Sequence, residues 1–219
     1  MKLLLTSGGI TNKSIAAALF DLVAKRPEET SVVFVPTAAN VVEGDKSWFI
    51  NDLANLKKQN FKSIEIADIS AVPETIWRPK FEEADVLFLE GGDACHLMKW
   101  INKSGLFAIL PGLLKSKIYV GVSAGSMVTN KRLDIRILQT IYEENMDAIK
   151  NMVGLNLVDF FFLPHLNDPD FRYLKENFIR EAVKDFPEKT FALDDNSALK
   201  VIDGKVEVVS GGKWFIING

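Results

Sequence analysis

The chain is poor in the side chains that most often do chemistry: one cysteine and two histidines in 219 residues. The single cysteine, Cys95, excludes an internal disulfide framework and a cysteine cage for zinc, and it suits a reducing compartment. An excess of positive charge is missing too. With 26 Lys+Arg against 29 Asp+Glu the formal charge is -3, so no general basic field exists to hold nucleic acid. No apolar run approaches the ~20 residues of a membrane span. The opening Leu3-Leu4-Leu5 is cut off by Ser7-Gly8-Gly9, too early for the apolar core of a signal peptide. These absences predict a cytoplasmic protein with neither nucleic acid nor a membrane as partner. Core-forming residues are not scarce: 47% of the chain is hydrophobic, which excludes disorder. The length, with no repeat or linker, predicts one domain over residues 1–219.

Short β-branched runs alternate with amphipathic stretches. Strands are expected at Leu3–Leu5, Ser31–Val35 (closed by Pro36), Ile64–Ile66, Asp85–Leu89 and Ile118–Gly121. Between them helical spacing predicts Asn12–Lys25 with Asn12 as N-cap, Trp48–Lys58, Asp93–Ile101, and Leu106–Leu114 interrupted at Pro111-Gly112. Strands buried on both faces and alternating with helices predict an α/β, three-layer, flavodoxin-like and mostly parallel sheet. Downstream, strands at Asp159–Leu163 and Thr190–Leu193 flank a helix at Phe171–Lys184. Asp203-Gly204 between two β-branched runs then predicts a C-terminal antiparallel edge hairpin. Phe160-Phe161-Phe162 reads as core strand, because no basic groove accompanies it.

The sharpest chemical signal is Gly121-Val122-Ser123-Ala124-Gly125, between a strand and a helix. A serine on so tight a turn needs small residues two before and two after it, and the following helix aims N–H groups at a developing oxyanion. Ser123 is therefore the candidate nucleophile, and it needs a base. His165 lies just beyond a strand end, where sites gather in open α/β sheets, and is preferred over His96 in the Gly91-Gly92-Asp93 helix. Asp195 is the candidate orienting acid, with Asp194 in reserve. The N–H groups of Ala124 and Gly92 are the candidate oxyanion donors. Asp93 suits a helix cap, and Thr6-Ser7-Gly8-Gly9 lacks a phosphate-loop signature and reads as a cleft wall.

Taken in chain order, five segments resemble the dipeptidase E family of serine exopeptidases. They are Ser7-Gly8-Gly9, Phe88-Leu89-Glu90-Gly91-Gly92-Asp93, Gly121-Val122-Ser123-Ala124-Gly125-Ser126, Pro164-His165 and Leu193-Asp194-Asp195-Asn196-Ser197. The resemblance implies a class I glutamine-amidotransferase-like fold and a Ser123–His165–acid triad. It also implies the Gly92 and Ala124 oxyanion donors and relatives among cyanophycinases. The family acid is often glutamate; the matching residue here is Asp195. Known members cleave dipeptides with an N-terminal aspartate, but Thr129–Asp134 does not keep their pattern, and Arg132 and Arg136 are the residues available to meet an acidic side chain. The expectation is a small peptide substrate, no cofactor and no metal, and at most a second copy of the chain as partner. Two rivals use the same site, an esterase or amidase and a non-catalytic ligand binder. A third would use Cys95 as nucleophile, but it lies away from the serine turn.

Overall fold

The computed structural model describes residues 1–142 and 152–218. Five strands, β1 (Lys2–Thr6), β2 (Ser31–Val35), β3 (Ser63–Ile66), β4 (Val86–Leu89) and β5 (Ile118–Val122), pair in parallel. Helices α1 (Lys13–Val23), α2 (Ser47–Lys57), α3 (Glu74–Glu83), α4 (Ala94–Lys103) and α5 (Leu106–Leu113) connect them. The two-residue period of a strand explains the layering. Leu4, Val32, Phe34, Val86, Phe88 and Val120 face one side, against Ile15, Leu19 and Leu22 of α1 and Leu56 of α2. Leu3, Leu5, Val33, Leu87 and Leu89 face the other, against Trp77, Phe81, Leu97, Met98, Leu106 and Leu110. Asn12 caps α1, its side chain accepting from the N–H groups of Ser14 and Ile15 at 3.0 Å each.

Beyond β5 come α6 (Ala124–Met127), β6 (Arg132–Leu133), α7 (Ile135–Thr140), β7 (Met152–Val153) and β8 (Phe161–Leu163). They are followed by α8 (Glu176–Val183), β9 (Thr190–Leu193), β10 (Ser197–Ile202), β11 (Lys205–Ser210) and β12 (Trp214–Ile217). The main sheet has seven strands in the order β11-β10-β1-β5-β4-β2-β3. β3-β2-β4-β5 follow the flavodoxin-type arrangement, with β1 beyond β5. β10 and β11 form the antiparallel edge hairpin about Asp203-Gly204, as the sequence predicts.

Four local features depart from the sequence reading. β8, β9 and β12 do not extend the main sheet; they form a separate three-stranded sheet. The helix expected from Phe171 starts only at Glu176, because residues 167–174 close a loop in which the Asn167 N–H donates to the Leu174 carbonyl at 2.6 Å. α5 runs unbroken through Pro111, which removes one N–H from a two-turn helix without ending it. α3 carries Pro79 in its interior and was hidden by that proline and by its polar surface. No helix among the described residues is long and apolar enough to cross a membrane.

Candidate active site

The parallel strands end at a common edge, and the turn after β5 is the tightest there. Ser123 has φ 46° and ψ -108°, a conformation L residues rarely adopt. Its neighbours make this feasible. A Cβ on Gly121 would lie 2.6 Å from the Gly125 backbone, and one on Gly125 would lie 2.1 Å from the Leu89 carbonyl oxygen. The two glycines are thus required by backbone packing between β4, β5 and α6. The Gly91-Gly92 turn stands directly beside the serine: a Cβ on Gly91 would sit 3.3 Å from Ser123 Cβ. At φ 130° Gly92 passes so close to Ala38 that a Cβ would meet its carbonyl oxygen at 2.2 Å. The N–H groups of Gly92 and Ala124 have no acceptor among the described residues. Asp93 caps α4, accepting from the His96 N–H at 2.7 Å.

His165 arrives from the end of β8, with its own backbone in the left-handed region at φ 65°. Several bonds hold it there. Its N–H donates to Ser7 Oγ at 2.7 Å, the next N–H, of Leu166, donates to the Leu193 carbonyl at 2.9 Å, and its carbonyl accepts from the Asp168 N–H at 3.0 Å. The imidazole lies flat against Phe171, with ring centroids 4.8 Å apart and planes 10° apart. Phe171 therefore covers the histidine ring, which keeps it out of the shortened α8.

The ring bridges two groups. Nε2 is 2.7 Å from Ser123 Oγ, and Nδ1 is 2.8 Å from Asp195 Oδ1. Asp195 also accepts from Ser7 Oγ at 2.6 Å. The Asp195 loop packs closely enough against the first loop for this short carboxylate to reach the imidazole. A Cβ on Gly8 would lie 2.7 Å from Asp195 Cβ, and Thr11 Oγ1 donates to the Asp195 carbonyl at 2.7 Å. Burial pushes the Asp195 carboxyl up, but the hydrogen bond and charge of His165, helped by Ser7, hold it down at about 2. Asp194 points elsewhere, accepting from the Ser197 hydroxyl at 2.7 Å and the Asn196 N–H at 3.1 Å.

Three more carboxyls surround this group. Asp168 sits near Asp195, and burial raises its pKa. The ligating atoms of His165, Asp168 and Asp195 lie within 4.8 Å of one another, a grouping that could hold a metal ion. With Nε2 accepting from the serine, however, Nδ1 carries the proton given to Asp195 and is no ligand. Next to Gly91, Glu90 is fully buried, against Asp52 of α2. Desolvation, then repulsion by Asp52, raises Glu90 well above the usual carboxylate range. Desolvation, with repulsion from Asp195, raises Asp52 to about 6 against a hydrogen bond with Glu90 that lowers it.

The sequence-derived residues Ser123, His165 and Asp195 thus meet in space, and Gly92 and Ala124 flank the serine. His96 does not join them. Its Nε2 is buried without a hydrogen-bond partner among the described residues, and its ring lies 6.3 Å from that of Trp100. Cys95 is buried in the core cluster. Arg132 pairs with Glu188 and lies over Phe186, and Arg136 lies 3.4 Å from Asp134. Sequence reasoning missed Ser7, which it took for a cleft wall, along with Asp168, Asp52 and Glu90.

Known proteins share this arrangement of elements. A crystal structure of a candidate peptidase E from Listeria monocytogenes EGD-e superposes with a TM-score of 0.78 at 22% identity, covering 96% of this chain and 98% of that one. The structure of a peptidase from an acI-B1 actinobacterium gives 0.73 at 16% identity, covering 98% and 89%. By sequence, an uncharacterized peptidase of Pasteurella multocida (strain Pm70) is 23% identical over 200 residues, 89% of this chain and 93% of that protein. An uncharacterized peptidase of Listeria monocytogenes (serovar 1/2a) is 26% identical over 160 residues, 69% and 73% of the two chains. The family model for peptidase family S51 matches residues 3–209, and the chain belongs to that family of peptidases.

Proposed function

We propose that the chain is a serine exopeptidase of the dipeptidase E type, acting on small peptides through an acyl-enzyme. The observation that carries this reading is the unbroken hydrogen-bond chain from Ser123 Oγ through both imidazole nitrogens to Asp195, at 2.7 and 2.8 Å. With Nε2 as acceptor, His165 takes the serine proton as Oγ attacks the scissile carbonyl, and Asp195 stabilises the imidazolium that forms. The low pKa of Asp195 keeps it ionised for that task across the neutral range. The carbonyl oxygen becomes an alkoxide between the Gly92 and Ala124 N–H groups, which have no competing acceptor among the described residues. Collapse of the tetrahedral intermediate expels the amine, protonated by His165, and water repeats the sequence on the ester.

An alkyl fluorophosphonate tests the reading, because it phosphonylates only an activated serine. Mass spectrometry should find the adduct on Ser123, and His165→Ala should abolish it. An unmodified Ser123 in the folded wild-type protein refutes the proposal and favours a ligand binder. Peptide and acyl-ester panels then separate a peptidase from an esterase on the same site.

A further inference from the structure

The turn after β4 carries one of the two oxyanion donors, and it is held by a side chain to which the steps above give no task. Four consecutive N–H groups run along it. Those of Glu90 and Asp93 donate to the Val35 and Ala38 carbonyls at 3.1 and 3.0 Å, and that of Gly91 donates to Glu90 Oε1 at 2.9 Å. Only the Gly92 N–H lacks an acceptor among the described residues. We propose that Glu90 is a positioning residue for the oxyanion site: its carboxyl, braced by Asp52, fixes the Gly91 N–H and so leaves the Gly92 N–H as the one the turn offers to the substrate oxygen. This inference rests on the serine-peptidase reading and adds a residue to it.

Three observations support it. First, Gly91 stands against the nucleophile: an added Cβ would lie 3.3 Å from Ser123 Cβ and 3.6 Å from the Val122 carbonyl oxygen. A shift of this glycine alters the space in which the tetrahedral intermediate forms, and a misplacement near 1 Å costs about 10²-fold in an aligned reaction. Second, two adjacent glycines give the turn little stiffness of its own, since glycine takes either sign of φ readily. The backbone bonds lie at the ends of the turn, and Glu90 Oε1 supplies the one between them. Third, the carboxyl is itself fixed. Glu90 is fully buried, and its Oε2 has no partner among the described residues except the Asp52 carboxyl, to which it is hydrogen-bonded. Two carboxyls bond only through a proton. Burial and repulsion by Asp52 hold that proton on Glu90 well above the usual carboxylate range, while Asp52 releases its own at about 6. At neutral pH Glu90 therefore donates through Oε2 to the Asp52 carboxylate, and Oε1 stays free to accept from Gly91. The other charged groups that act on Asp52 are Asp195, which repels its charge, and His165, which favours it. Loss of the shared proton leaves two carboxylates in contact without a lysine or arginine between them, and the brace becomes a repulsion.

The test is the second-order rate at which the alkyl fluorophosphonate labels Ser123, measured from pH 6 to pH 9 in the wild type, Glu90→Gln and Glu90→Met, with thermal melting at each pH to show that the protein is folded. Glu90→Met removes the acceptor of the Gly91 N–H and should slow labelling at pH 7 about tenfold or more, where loss of a whole oxyanion donor costs about 10²–10³-fold. Glu90→Gln keeps an oxygen for Gly91 and offers Asp52 an N–H that does not titrate, so it should label near the wild-type rate at pH 7. The wild type should lose rate on the alkaline side as the pair gives up its last proton, and Glu90→Gln should keep it. A folded Glu90→Met protein that labels at the wild-type rate overturns the proposal. One that labels faster also overturns it, by making the Gly91 N–H, released from Glu90, the donor instead. If Glu90→Met does not fold, Glu90→Gln decides: a rate far below wild type at pH 7, or an alkaline fall identical to wild type, overturns the positioning role. In each of these cases labelling of wild-type Ser123 leaves the serine-peptidase reading standing. No labelling of the folded wild-type protein overturns both.

Discussion

Ser7→Ala removes one oxygen from a fully buried side chain and should affect stability and rate together. That hydroxyl donates to Asp195 Oδ1 at 2.6 Å and accepts from the His165 N–H at 2.7 Å. It therefore ties the acid to the backbone of the base. Losing two hydrogen bonds costs about 1 kcal/mol each, and a buried N–H left without an acceptor costs about 1–3 kcal/mol. Part of this is one interaction counted from both ends, so about 2–3 kcal/mol is the expected loss. In a protein of this size that lowers Tm by roughly 4–12 °C.

The rate effect follows from what the bond restrains. His165 holds φ 65°, a conformation costing about 1–3 kcal/mol that persists only while its surroundings enforce it. Without Ser7 the loop can relax, and a displacement near 1 Å costs about 10²-fold in an aligned reaction. The second-order rate of fluorophosphonate labelling should fall about 10- to 100-fold. Calorimetry and labelling kinetics on one preparation give both quantities. A lowered Tm with the wild-type labelling rate would refute the positioning argument, because Ser7 would then be scaffold alone; an unchanged Tm would refute the bonding argument.

Asp195→Asn, which leaves His165 without a carboxylate partner, should cut the labelling rate about 10³- to 10⁴-fold while the fold survives, as circular dichroism can check. Gly125→Ala places a methyl group 2.1 Å from the Leu89 carbonyl oxygen, a backbone atom that cannot step aside; loss of more than about 3 kcal/mol, or no folded product, is expected in denaturant titration. Asp52→Asn should change stability in a pH-dependent way. The folded protein raises the Asp52 pKa from 3.8 to about 6, so the folded state holds the proton more tightly and the wild type loses stability as pH rises through that window. Up to about 3 kcal/mol is at stake. The Tm of the variant relative to wild type should thus be higher at pH 8 than at pH 4, and a difference constant across that range would count against the raised pKa.

Legibility in the sequence followed the range of the interaction. The Asn12 cap and the small residues around Ser123 are local demands of backbone geometry and are written within a few positions. The hairpin at Asp203-Gly204 is equally local. His165 was readable because the chain has two histidines and only one follows a strand end in that region. Ser7 meets His165 across 158 positions with no motif to announce it. Asp52 lies on an amphipathic helix, where an acid reads as part of the solvated face; only the approach of α2 to the Gly9 loop buries it. Phe171 continues a helical pattern that would have extended α8, but stacking on the imidazole takes it out of the helix. β12 carries the alternation of any edge strand, and that alternation does not say which edge it joins.

Positive φ is not peculiar to the serine's surroundings, since Ala24 and Asp203 hold it too, but there it coincides with unusual electrostatics. Ser123 and His165 hold positive φ just past strand ends, and Glu90 after β4 and Asp52 of α2 are acids whose shifts involve no lysine or arginine. At the opposite end, charges have conventional partners: Lys25 lies 2.6 Å from Asp85, and Lys117 donates to the Glu82 and Ala84 carbonyls at 2.6 Å each. The sign of a substitution's effect on stability then separates two kinds of residue that both sit near the serine. Ser7 and Gly125 hold the constellation in place, so replacing either weakens the fold. Asp52 is held in the wrong environment for its charge, so neutralising it strengthens the fold at neutral pH. A side chain whose removal stabilises the protein is retained for something other than folding, and among the described residues near Ser123 the acid pair is where that sign is expected.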